Sequence, residues 1–112
     1  MWYDNLNNKR LWKIFSDISA IPRESGNEEG IRKYLLSWAE EHGIDAFSDS
    51  IGNVIMKVKA TPGYEDYPSI ALQGHMDMVC VKREGSSHDF TKDPIEIETD
   101  GKNIWAKDTS LG

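Results

Sequence analysis

"SIALQGHMDMV", residues 69–79, begins as an apolar run and then, without leaving its rhythm, carries His75 and Asp77. The opening "SIAL" has apolar residues on both faces of an extended chain, the pattern of a central strand covered from two sides. Side chains alternate along a strand, so His75 and Asp77 are expected on one face, about 6.6 Å apart at the Cα level for a rise of ~3.3 Å per residue. An imidazole beside a carboxylate suits a metal site. One ring nitrogen binds the ion and the other donates to Asp77, which fixes the tautomer and increases the basicity of the ligand. Gly74 lets backbone or ligand come close, and ligands of open α/β sheets bind outside the carboxyl ends of strands. Spacing alone leaves a plainer reading open, a histidine merely hydrogen-bonded at a strand end. A zinc site needs three or four protein ligands, and nothing nearby in the sequence completes one.

Before this stretch the period is helical. Leu11, Ile14, Phe15 and Ile18 form one apolar face of a first helix that must end before Pro22. "SGNE" offers Ser25 as N-cap with Glu28 three residues on, a capping box for a second helix. Its apolar stripe is Ile31, Leu35, Trp38 and Ala39, and Gly43 is the left-handed stop. From residue 46 the period changes to two. "NVIMKVKA" reads as a half-exposed strand joined to "DAFSDS" by a turn around Gly52 and Asn53. "PIEIETDGKNIWAKD" reads as a hairpin about Asp100-Gly101. The expected class is α/β: two helices, then a mixed sheet with a hairpin. A strand apolar on both faces needs a layer on each side, which two helices and a hairpin hardly supply, so the 112 residues are expected to be part of a larger domain.

Composition narrows the function classes. With 38% hydrophobic and 29% charged residues the chain has the make-up of a globular domain. Thirteen Lys and Arg against nineteen Asp and Glu give a net charge of −6, whose field repels phosphate backbones and anionic lipid; neither nucleic acid nor a membrane is expected as a partner. The N-terminal residues carry no signal-peptide pattern, and no run approaches the roughly twenty apolar residues that span a bilayer. A single cysteine, Cys80, agrees with a reducing compartment, and a cytoplasmic location is expected.

The remaining candidates read blandly. His88, in "SSHDFTKDP", is a conceivable ligand but more simply a ring that fixes its loop; His42 suits the negative end of a helix. Cys80 has no base placed beside it and reads as a small semi-buried thiol. Trp2, Trp12, Trp38 and Trp105 read as core or subunit contact. No phosphate loop, zinc-finger spacing or Gly-x-Ser-x-Gly elbow occurs.

Taken in order, "IPRESGNEEGIRKYLLSWAEEHG", "DSIGNVIMKVKAT", "ALQGHMDMVCVK", "HDFTKDPI" and "AKDTSLG" resemble the aminoacyl-histidine dipeptidases, also called Xaa-His or cytosol non-specific dipeptidases. "LQGHMDMV" with "HDF" and "DPI" separates this branch from related deacylases and carboxypeptidases. The resemblance implies a zinc-peptidase-like catalytic domain of which residues 1–112 are the N-terminal portion, the rest of that domain and an inserted dimerisation domain lying outside. It implies two zinc ions, with cobalt or manganese as alternatives, a dipeptide substrate and a homodimeric whole enzyme. His75 would be a zinc ligand and Asp77 the catalytic-site aspartate that orients it. In the family the stretch after "T-[ST]-L-G" runs into Ala-Asp-Asn-Gly, whose Asp bridges the metals, and the general-base glutamate follows later; the portion alone is therefore expected to be inactive. The alternatives are a non-catalytic α/β interaction module in which His75 is structural, and a homologue that has lost its metal site.

Overall fold

A computed structural model describes every residue from Met1 to Gly112. The elements, in order, are helices α1 (Lys9–Ser19) and α2 (Glu29–Glu41), then strands β1 (Asp45–Ser48), β2 (Val54–Lys57), β3 (Ile97–Thr99) and β4 (Ile104–Ala106). This is the α/β class the sequence predicts. The chain divides into two compact units, one made of Met1–Ile31 with Asp77–Gly112 and the other of Arg32–Met76. No helix is long and apolar enough to cross a membrane.

In the first unit α1 half-buries Ile14, Phe15 and Ile18, whereas Leu11 stays exposed. The turn before the helix is held to it by aromatic rings. Trp2 meets Tyr3, Trp12 and Phe15 edge-on at centroid distances of 5.2, 5.9 and 6.4 Å. Its indole N–H donates to Ser16 Oγ at 3.2 Å. Edge-to-face pairs of this kind contribute about 0.5–1.5 kcal/mol each beyond area burial. The helix closes with Ala20 N–H on Ser16 O and Ile21 N–H on Ile18 O, just ahead of Pro22. Tyr3, Ile31 and Met78 are the buried apolar side chains of this unit.

The hairpin β3–β4 forms where it is expected, pairing Ile97 with Ala106, Glu98 with Trp105 and Thr99 with Ile104. Its turn is closed by side chains: Asp100 Oδ1 accepts the N–H groups of Lys102 and Asn103 at 2.8 and 2.7 Å, and the Thr99 hydroxyl donates to Asn103 O while accepting from Gly101 N–H. The bonds to Asp100, with that of Asn103 N–H first, hold its carboxyl below its ordinary range. Trp105 is 41% exposed and gives its N–H to Glu98 across the hairpin, so it is a cross-strand contact and not core.

In the second unit α2 ends at the predicted stop. Gly43, at φ +66°, gives its N–H to Glu40 O while Ile44 N–H reaches back to Ala39 O, the two bonds of a Schellman motif. Ala39 is fully buried. His42 stacks on Trp38 at 4.0 Å and its Nδ1–H donates to Trp38 O at 2.7 Å, which ties this ring to its own helix. Strands β1 and β2 pair antiparallel from Asp45–Lys57 to Ser48–Val54. Asp49 closes their loop by accepting from the backbone of Ile51, Gly52 and Asn53 and from the Asn53 amide. The Asn53 side chain is the foremost cause of the lowered Asp49 pKa. Gly52 is required here by its φ of +102°; a Cβ would also come within 2.5 Å of the Arg32 guanidinium, whose Nε–H donates to Gly52 O and which would have to shift.

The predicted central strand does not form. Residues 69–77 belong to no strand or bridge, and Ile70 and Leu72 are 87% and 95% exposed. The reason is a lack of neighbours. Strand β1 hydrogen-bonds only β2 and β3 only β4, so neither sheet takes "SIAL" as a third strand, and a strand apolar on both faces is not held without a ladder partner. The mixture of strand directions expected of the sheet survives as two isolated bridges, parallel between Glu24 and Met78 and antiparallel between Lys82 and Thr109.

Candidate functional site

The site is built on the first unit, where residues 23–25, 77–83 and 108–112 are drawn together. On one side of the extended stretch from Asp77, Met78 N–H donates to Arg23 O at 2.9 Å. On the other side Ser110 N–H donates to Val81 O at 2.7 Å and Arg83 N–H to Asp108 O at 2.8 Å. The Ser110 hydroxyl completes the seam, donating to Val79 O and accepting from Val81 N–H. Three of the sequence blocks that carry the family resemblance are thereby one local structure.

Asp77 sits at the head of this seam, half-buried. Its Oδ2 accepts the hydroxyl proton of Ser25 at 2.5 Å, and its main-chain carbonyl accepts from Arg23 Nη1 at 3.2 Å. Ser25 is therefore not the N-cap that the sequence suggests. The Glu24–Asn27 turn, closed by Asn27 N–H on Glu24 O, delays the helix to Glu29. Glu28 does turn back, but onto Gly26 N–H. A hydroxyl offered a carboxylate makes a charge-assisted bond, stronger than the neutral bond a cap would provide.

Arg23 is 8% exposed, and burial pushes its guanidinium below the ordinary value, with Cys80 and Asp77 opposing. Cys80 is half-buried, its thiol directed at Met78 O, and burial raises its pKa above the ordinary value. A thiol so disposed is poorly suited to nucleophilic work.

His75 is exposed and belongs to the second unit. His88 is half-buried, set edge-on to Phe90 at 4.5 Å, with its Nε2 enclosed and without a hydrogen-bond partner. Its loop is closed by Asp89, which accepts from Thr91 N–H and Oγ1, and by Asp93, which accepts from Asp89 N–H. The ring is thus part of the loop's packing, as the plainer reading has it. No three His, Cys, Asp or Glu side chains gather into a group that could hold a metal ion. In donor type an imidazole and a carboxylate suit zinc; in number two such groups fall short of the three or four protein ligands a zinc ion needs. Sequence reasoning missed Ser25 and Arg23 as the partners of Asp77. The only signal for them was the order of the motif blocks, because the bond from Ser25 joins residues 52 positions apart.

No family model matches the chain. The cytosol non-specific dipeptidase of Escherichia coli is 41% identical over 107 residues, which are 96% of this chain and 22% of that protein. A putative LysW-lysine/LysW-ornithine hydrolase of Pyrococcus furiosus is 42% identical over 71 residues, 63% of this chain and 18% of that protein. Among solved structures, the aminoacylhistidine dipeptidase of Vibrio alginolyticus matches with a TM-score of 0.92 and 43% identity, over 100% of this chain and 23% of that one. The chain spans under a quarter of the length of these relatives. In sequence over 96% of its length and in fold over 100%, the chain is similar to part of the aminoacylhistidine (cytosol non-specific) dipeptidases.

Proposed function

We propose that these residues serve a zinc-dependent dipeptidase, as the N-terminal portion of its catalytic domain. The observation that carries the reading is the match, at a TM-score of 0.92 and 43% identity, to an aminoacylhistidine dipeptidase across all of the chain. By resemblance, His75 is a zinc ligand and Asp77 the aspartate that orients it. The remaining donors and the general base come from outside these residues. When bound, a zinc pair supplies an acidified water and polarises the scissile carbonyl. The part assigned to this chain is to present one imidazole and to fix the carboxylate behind it. Dipeptides of the Xaa-His type, or a broader set, are the substrates; cobalt or manganese would suit the same donors. The whole enzyme acts in the cytoplasm as a homodimer.

The experiment is dipeptide release by the full-length polypeptide and by residues 1–112 alone. Turnover in the first and none above a metal-free blank in the second is expected. His75→Ala and Asp77→Ala in the full-length polypeptide should lower kcat by at least a hundredfold. An intact polypeptide that neither binds metal nor hydrolyses dipeptides would replace the enzyme by the interaction module.

A further inference from the structure

Two features of the bracket around Asp77 are left without a purpose by folding alone. The Ser25 hydroxyl is solvent-exposed, and an exposed hydrogen bond adds little to stability, yet it abandons a helix cap to reach a carboxylate 52 residues away. Arg23, two residues earlier, is buried, donates to the carbonyl of that same aspartate and lies so close to Gly112 that a Cβ there would come within 2.5 Å of its Nη2. Main chain and side chain of Asp77 are thus both held by one short segment, whose backbone is in turn bridged to Met78.

We infer that Ser25 is a positioning residue for the dipeptidase reaction proposed above, on which this inference rests. Its hydroxyl donates to Oδ2 of Asp77 and restrains the rotation of the carboxylate. Arg23 holds the main chain of Asp77 in place, so that the hydroxyl acts on a fixed carboxylate. Ser25 itself touches no reacting atom. Partners behind a metal ligand change metal affinity or activity by roughly 10–100-fold, and one acting through an intermediate carboxylate belongs at the lower end.

The test compares Ser25→Ala and Ser25→Thr in the full-length polypeptide. Ser25→Ala should lower kcat about tenfold and zinc affinity, read by chelator competition, about tenfold, with KM within twofold and melting temperature unchanged. Ser25→Thr, which keeps the hydroxyl, should restore both to within threefold. Values for Ser25→Ala within twofold of the parent overturn the inference, as does a loss that goes with a lowered melting temperature. A third readout is independent of function: the side-chain carboxyl carbon resonance of Asp77 in the full-length polypeptide should move on Ser25→Ala. If it does not, the contact is absent and the inference fails. If the parent polypeptide hydrolyses no dipeptide, the proposed function falls, while resonance and zinc affinity still decide the role of Ser25.

Discussion

The two hairpins and the stretch 69–77 are all written in strand-forming residues, but only the hairpins are strands. Each hairpin brings its partner within a few residues and pins its turn with one aspartate, Asp49 or Asp100. The stretch "SIALQGHMD" opens on an apolar run and pairs with no strand. Closing a short loop costs little entropy, and its cross-strand pairs are satisfied at once. A buried central strand depends on elements distant in sequence, so its apolar pattern states what it requires and cannot supply it. Residues 78–83 show the intermediate case, tied by single bridges to segments on both sides.

The largest effect that would sharpen this contrast is expected from Met78→Ala. Met78 is 3% exposed at the centre of the long-range seam, and truncation of such a side chain costs about 2–5 kcal/mol. Amide protection of residues 78–83 should fall in hydrogen exchange, while the amides of β1–β2 and β3–β4 keep theirs. Equal loss in the hairpins would erase the distinction between self-closed and borrowed structure.

Next in size is Gly52→Ala. A non-glycine residue at φ +102° is strained by roughly 1–3 kcal/mol, and the added methyl displaces Arg32 from Gly52 O. Denaturant unfolding followed through β1–β2 should register this loss, with β3–β4 indifferent.

Acid should then test the turns. The folded-state pKa values of Asp49 and Asp100 lie below the ordinary 3.8, so their contribution is complete above that value and is lost as pH falls through the lower, folded one. In an NMR titration the turn amides of Ile51 to Asn53 and of Lys102 and Asn103 should hold their shifts through pH 4 and move together below it. Asp49→Asn and Asp100→Asn should each flatten that response in their own hairpin and not in the other.

The smallest effect on stability belongs to Ile70→Thr with Leu72→Thr. Both side chains are exposed, so unfolding should change by less than about 0.5 kcal/mol. Binding of a hydrophobic dye to residues 1–112 should nevertheless drop, since exposed apolar strand surface is what such dyes and other chains seek. A large destabilisation would mean that 69–77 is already part of a packed layer.

Of the candidate site, residue type and spacing single out His75 and Asp77 as candidates, and the family resemblance rests on blocks that can be read in order. What could not be read is which of them meet. "SGNE" satisfies the rule for a capping box, and the rule fails because Asp77 competes for the hydroxyl. Nothing local to Ser25 announces that competitor.

By itself the sequence determined what depends on neighbours along the chain: the face and end of α1, the glycine stop of α2, the aspartate-pinned turns of both hairpins. Dihedral preference, side-chain period and short-loop closure act within a few residues and leave their marks there. Only the tertiary structure decided that Ser25 serves Asp77, that Arg23 is buried against the same residue, and that pairing begins at Met78 instead of Ile70. Those outcomes turn on which distant hydrogen-bonding groups arrive at one place, a choice made by packing and by the availability of partners, not by the local code.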